Sequence, residues 1–352
     1  MNLPIDDKHD LLSFPLKRLT TWLADNKIAP YRAAQILKWL YLRQADTFDV
    51  MTDLNKDLRA TLTRHFFILR LKQLSVEKSV DGTQKYLFAL GDDNTIESVL
   101  IPEKNHSTLC ISSQVGCAQG CRFCLTGQAG LKRNLSMGEI IAQVRDIQND
   151  INDQKPLSNI VLMGMGEPLA NYENVIDALT VLTDKDYGMG FSNRKVTLST
   201  AGVVPQLANL DRDTRVNLAI SLNASNDATR NQLMPINQKY PIADLLEACR
   251  GYALAPSRRI TFEYILIKDV NDSIKDAKQL ARLLKPLKAK INLIPFNPHP
   301  GSSFKRPDDA SVLAFQAELM AQNYIVMIRK SKGRDISAAC GQLRGKRSPV
   351  KS

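Results

Sequence analysis

No stretch of this 352-residue chain stays apolar for the roughly 18 residues that a membrane-spanning helix requires. The opening residues, Met1-Asn2-Leu3-Pro4-Ile5-Asp6-Asp7-Lys8, lack the apolar core of a secretory leader. The expectation is a globular protein of the cytoplasm with no membrane partner. Acidic side chains are also in short supply, 36 against 47 Lys and Arg, for a formal charge of +11. That surplus favours a polyanionic partner such as RNA, although a basic surface on a non-binding enzyme would look the same. The basic residues recur as Lys132-Arg133, Arg194-Lys195, Arg258-Arg259, Arg329-Lys330, Lys332, Arg334, and Arg344 with Lys346-Arg347. Cysteine is sparse too: of six, Cys117, Cys121 and Cys124 fall within eight residues as C-x-x-x-C-x-x-C, and no fourth follows in the next hundred.

The missing fourth ligand is informative. A structural zinc site closes with four ligands and an iron-sulfur cluster normally takes four thiolates, so three local cysteines point to a centre with one open position. The spacing resembles the signature of the radical S-adenosylmethionine (SAM) superfamily, which implies a [4Fe-4S] cluster held by Cys117, Cys121 and Cys124 whose fourth iron would chelate the amino and carboxylate groups of SAM. Buried cysteines, or a zinc knuckle with a distant fourth ligand, are the plainer alternatives. Gly116, Gly120 and Gly127 supply the tight turns that a chain wrapped round a cluster needs.

Along the chain, residues 1–68 carry apolar positions at helical spacing (Leu16, Leu19, Leu23; Ile36, Leu37, Leu40; Leu54, Leu58, Leu62) and read as a helical accessory domain. The helix over Tyr31–Tyr41 could face nucleic acid, but such a stripe is more often core. Residues 69–102 switch to a period of two, with turn signals at Asp81-Gly82 and Gly91-Asp92-Asp93, and read as a short β connector. Its last strand carries Glu97 among apolar neighbours, and an acid there usually faces solvent.

From 103 to 343 strands alternate with helices, which dictates right-handed crossovers and a parallel α/β sheet. Strands are expected at 107–113, 158–163, 195–200, 216–222, 259–266, 289–294 and 324–329. A capping box at Ser136–Glu139 opens one helix, and others fit 172–183, 241–253, 273–286 and 308–322. Residues 344–352 read as a flexible basic tail. Ligands of such sheets gather beyond the strands' C-terminal ends. Those ends here carry the cysteine loop, Gly164-Met165-Gly166-Glu167-Pro168, Ser199-Thr200, Ser221-Leu222-Asn223, Glu263 within the fifth strand, and Pro295-Phe296-Asn297-Pro298. Of the other cysteines, Cys249 reads as core, and Cys110 or Cys340 taken singly would suit packing.

Taken as a set, Leu109-Cys110-Ile111-Ser112-Ser113-Gln114-Val115-Gly116-Cys117, the Gly164–Leu169 loop, Leu198-Ser199-Thr200, Leu233-Met234-Pro235-Ile236-Asn237, Ile291–Pro295 and Ala338-Ala339-Cys340-Gly341-Gln342-Leu343 resemble the RlmN family. These are radical SAM methyltransferases of 23S ribosomal RNA and tRNA. The likeness runs to about Leu343, nearly the whole chain. It departs at Leu125, where Ala is usual, and at Asn223, where His is common.

The resemblance implies a partial (β/α)6-type radical SAM barrel, a [4Fe-4S] cluster and two SAM molecules per turnover. It implies methylation at C2 of an adenine in the peptidyl transferase centre and of the adenine 3′ of the anticodon. Cys340 would carry the methyl group as S-methylcysteine, Glu97 would accept the C2 proton, and Cys110 would resolve the adduct through a transient disulfide with Cys340. Gly166 and Glu167 would meet the SAM amino group, Ser199, Ser221, Leu222 and Asn223 its ribose and carboxylate region, and Asn297 its adenine. A low-potential electron donor and a monomeric enzyme complete the expectation. The alternatives are Cfr-like methylation at adenine C8, a radical activase or electron carrier acting on a protein, and a zinc-bearing RNA-binding module.

Overall fold

A computed structural model describes residues 8–151, 155–252 and 258–345. Of the flexible tail expected over 344–352, Arg344 and Gly345 are instead docked, their N–H groups donating to Glu97; residues from 346 onward, and the opening Met1–Asp7, lie outside the described residues. Helices α1 (Leu16–Asp25), α2 (Arg32–Tyr41) and α3 (Lys56–His65) are each about three turns long. Helices that short need tertiary packing to persist. It comes from their apolar stripes, with Leu19, Leu23, Ile36, Leu37, Leu40, Leu58 and Leu62 all buried. The Tyr31–Tyr41 stripe is therefore core, while exposed Tyr31 carries the Arg32 guanidinium 4.9 Å from its ring centre.

The centre of the molecule is one ten-stranded sheet: β1 (Lys72–Lys78), β2 (Gln84–Ala89), β3 (Thr95–Pro102), β4 (Ser107–Cys110), β5 (Leu157–Leu162), β6 (Val196–Thr200), β7 (Asn217–Ser221), β8 (Ile260–Leu266), β9 (Ala289–Pro295) and β10 (Val326–Ile328). Each strand lies beside its predecessor in the chain. Pairing is antiparallel from β1 to β4 and parallel from β4 to β10. The 69–102 segment thus continues the parallel sheet edge to edge, with Val99 of β3 opposite Cys110 of β4. The connections are α4 (Met137–Asp150), α5 (Tyr172–Thr183), α6 (Val204–Asp213), α7 (Asp227–Leu233) with α8 (Ile242–Gly251), α9 (Ile274–Leu284) and α10 (Asp309–Ala321). The fold is mixed α/β, with a mostly parallel sheet and helical crossovers.

Strand β4 ends at Cys110, three residues before the expected 113: Ile111 N still donates to the Val161 carbonyl at 3.0 Å, but Ser112 and Ser113 are pinned elsewhere. Ser112 N donates to Gln143 Oε1 at 2.8 Å in place of a ladder carbonyl, and Ser112 Oγ donates to the Glu97 carbonyl at 2.6 Å. Two helices escape the periodicity reading. In α6 only Leu207 and Leu210 are buried, and α7 has seven residues. No helix among the described residues is long and apolar enough to cross a membrane.

Candidate active site

Beyond β4, Gln114–Gly116 pairs antiparallel with Leu131–Asn134, and the loop between them holds Cys117, Cys121, Cys124 and one helical turn, Leu125–Gln128. Two glycines make this loop possible. A Cβ on Gly116 (φ +76°) would collide with the Gly130 carbonyl, and one on Gly127 would sit 2.9 Å from Cys121 N. The three thiols line one cavity at the C-terminal ends of the parallel strands. Burial pushes Cys117 up to about 12 and raises Cys121 and Cys124, and the thiols' mutual repulsion adds to the shift. Iron would supply the positive charge that the cavity lacks. Among the described residues no three His, Cys, Asp or Glu are gathered closely enough for a single metal ion. The thiols are spread round the cavity, an arrangement that fits a cluster in which each takes a different iron.

The same cavity is lined by Gly166, Glu167, Ser199, Ser221, Asn223 and Cys340. At Gly166 (φ +105°) a Cβ would stand 2.6 Å from Gln114 Cβ, so only glycine lets this loop approach. Glu167 is fixed by backbone donors, Leu169 N at 3.0 Å to Oε1 and Ala201 N at 2.7 Å to Oε2, while burial raises its carboxyl. Asn223, left-handed at φ +59°, accepts from Ile265 N at 2.9 Å and ties the end of β7 to β8. Leu222 is packed in the core and does not line the cavity, unlike Ser221 and Asn223 on either side of it. Asn297 stands apart from the first cavity. It lines a second chamber of 860 Å3, and its Nδ2 donates to the Cys340 carbonyl at 3.3 Å.

Cys340 belongs to both cavities, and Cys110 lines the second. The C-terminal segment that brings Cys340 here is docked by specific contacts. Leu125 N donates to the Gly341 carbonyl at 2.8 Å, Thr126 Oγ1 donates to the Leu343 carbonyl at 2.6 Å, and Thr95 Oγ1 donates to the Gly345 carbonyl. Both cysteines are free thiols. Burial pushes Cys110 up to about 12, and the neighbouring Cys340 pushes in the same direction.

Glu97 is buried, contrary to the solvent-facing expectation, because β3 sits inside the sheet and is covered on both faces. Its Oε2 accepts from Arg344 N at 2.7 Å and Gly345 N at 3.0 Å, and Lys85 Nζ lies 3.5 Å from Oε1. Burial raises its carboxyl against the pull of Lys85. Glu97 lines neither cavity, but Val99, two residues on and on the same strand face, lines the second.

Several site residues carried no local signal. Arg230 is fully buried and donates to the carbonyls of Leu222 (3.1 Å) and Ala201 (2.7 Å) and to Asn237 Oδ1 (2.8 Å), bracing the cavity floor. Gln143 on α4 holds Ser98 and Ser112. Arg133, counted among the basic pairs, is occupied by Asp92 at 2.6 Å and Glu139 at 2.8 Å.

An α/β sheet with an open-ended three-cysteine loop beyond its first parallel strand, facing a glycine-rich loop, defines a radical SAM enzyme. Residues 111–283 match the family model of the radical SAM superfamily, and residues 9–68 match that of the ribosomal RNA large subunit methyltransferase N-terminal domain. The dual-specificity RNA methyltransferase RlmN of Desulfosudis oleivorans is 56% identical over 93% of this chain and 88% of its own. That of Syntrophotalea carbinolica is 53% identical over 97% and 91%. A crystal structure of a radical SAM methyltransferase from Sphaerobacter thermophilus superposes with a TM-score of 0.89 at 44% identity, covering 96% of this chain and all of that one. The chain belongs to the RlmN family of radical SAM RNA methyltransferases, the family its motifs resemble.

Proposed function

We propose that the enzyme methylates C2 of one adenine in 23S ribosomal RNA and of the adenine 3′ of the anticodon in tRNAs, carrying the methyl group on Cys340. The observation that supports this most directly is that Cys340 forms a wall common to the cluster-side cavity and the second chamber. Bound, the cluster and two SAM molecules per turnover supply a methyl donor and a hydrogen-abstracting radical. Cys117, Cys121 and Cys124 would hold the cluster. Gly166 and Glu167 would meet the SAM amino group, Ser199, Ser221, the Leu222 backbone and Asn223 its ribose and carboxylate, and Asn297 its adenine.

On this reading Cys340 Sγ accepts the methyl group on the cavity side and presents its carbon to C2 on the chamber side. Glu97, made more basic by burial, takes the C2 proton once Arg344 and Gly345 release it. Cys110, resting as a thiol, would then give up its proton and attack Cys340 Sγ, breaking the Sγ–carbon bond as the disulfide forms; the odd electron of the adduct would pass to the bound cluster, and the freed carbon would take a proton and leave as the product's methyl group. A reductant must reopen that disulfide each cycle, which suits the cytoplasm, and an external low-potential donor must feed the cluster. A monomeric enzyme completes this reading.

An anaerobic assay with 23S fragments and tRNA, followed by nuclease digestion, should yield 2-methyladenosine. Cys340→Ala should abolish it, and Cys110→Ala should leave a protein-RNA adduct on denaturing gels. Product consisting of 8-methyladenosine alone, or unimpaired turnover in both variants, would overturn the proposal.

A further inference from the structure

Glu97 lies inside the sheet, so a proton taken up there needs a route to solvent. Two more charged side chains share its face. Glu77 on β1 stands directly opposite Lys85 on β2, and Lys85 stands opposite Val99 on β3, two residues along from Glu97. Residues two apart on a strand point the same way, so Glu77, Lys85 and Glu97 form a row across three neighbouring strands. The row ends at β1, the outer edge of the sheet.

The contacts follow the row. Lys85 Nζ lies 3.5 Å from Glu97 Oε1 and 3.2 Å from Glu77 Oε1, and it donates to the Ile336 carbonyl at 2.7 Å. Exposure rises outward: the side chains of Glu97 and Lys85 are 1% and 2% accessible, that of Glu77 26%. Glu97 Oε2 faces the other way, toward Arg344 N and Gly345 N. Two carboxylates against one ammonium leave the row one positive charge short, and burial favours a further proton held within it. An ammonium touching two carboxylates can take a proton from one as it gives its own to the other, its charge unchanged.

We propose that Lys85 and Glu77 form the proton path of Glu97: the proton taken from C2 passes from Glu97 to Lys85 Nζ while Lys85 hands one of its own to Glu77, which releases it to solvent. The row ends as it began, with two carboxylates and one ammonium. The inference rests on the reading of Glu97 as the base. Lys85 and Glu77 touch no substrate and act through Glu97.

The test is a single turnover of 23S fragments by the full-length, cluster-loaded enzyme. It follows 5′-deoxyadenosine, formed before the proton leaves, and 2-methyladenosine, formed after. Glu77 is half-buried at the sheet edge, so Glu77→Gln keeps its size and removes only the carboxylate. This variant should make 5′-deoxyadenosine at the wild-type rate and 2-methyladenosine about tenfold more slowly, with the protein-RNA adduct persisting on denaturing gels. Lys85→Arg keeps the positive charge but cannot give up a proton, and should show the same split. Wild-type methylation in Glu77→Gln, or equal loss of both products in it, would overturn the path. Full methylation in Lys85→Arg would also overturn it, leaving Lys85 a role in positioning alone. Glu97→Gln separates the two layers. If it methylates at the wild-type rate, Glu97 is not the base and the underlying reading falls; if it stalls while the other two variants do not, only the path falls.

Discussion

Asp10 shows how far burial moves a carboxyl in this protein. Desolvation lifts it from 3.8 to about 6, although Leu12 N, Ser13 Oγ and Leu69 N all donate to it. Between pH 4 and 6 the native state keeps a proton that the unfolded chain has lost, so rising pH costs stability across that window, about 3 kcal/mol in full. Asp10→Asn should retain the hydrogen-bond acceptor and flatten that share of the dependence; urea unfolding at pH 4.5 and 7 checks it. At this scale the sequence was legible where chemistry is local. Cys117, Cys121 and Cys124 declare themselves by spacing, and Gly116 and Gly127 by the turns between them. Glu97 did not, because a strand covered on both faces loses the alternation that would place an acid inside or outside. Arg230 and Gln143 act through partners on other elements, among them Ala201, Ser98 and Ser112, which spacing cannot report.

The helices record which signals travel along a short stretch of chain. Ser136 and Glu139 form the reciprocal cap expected of them at the start of α4, with Glu139 N donating to Ser136 Oγ at 3.1 Å and Ser136 N to Glu139 Oε2 at 2.9 Å. Ser136→Ala should cost about 1 kcal/mol, read as a shift of the urea midpoint at unchanged slope. The expected α5 matches its observed span, Tyr172–Thr183, because its apolar positions repeat over three turns. Helices α6 and α7 were missed for the opposite reason. One buries two side chains and the other spans two turns, too little for a period to emerge. All seven strands expected from 107 onward are present, with ends shifted by up to three residues.

Across the whole molecule, Arg145 joins the helical region to the sheet. Its side chain is fully buried on α4 and reaches out to the Ala45 carbonyl at 3.0 Å and Asp46 Oδ1 at 3.1 Å, while Arg70 links Asp46 to Asp146. Arg145→Ala should cost about 3 kcal/mol, since it removes charge-assisted hydrogen bonds and packing together. Hydrogen exchange should accelerate most in α1 to α3. The sheet itself, whose strand order repeats chain order, has a bearing on biosynthesis. Each new strand leaving the ribosome meets its neighbour already in place, so the scaffold can grow from one edge without waiting for distant sequence. The sulfur at residue 340 arrives only after that growth is finished. On the proposed reaction, a nascent chain therefore completes its strand scaffold before it acquires the sulfur that would carry the transferred carbon.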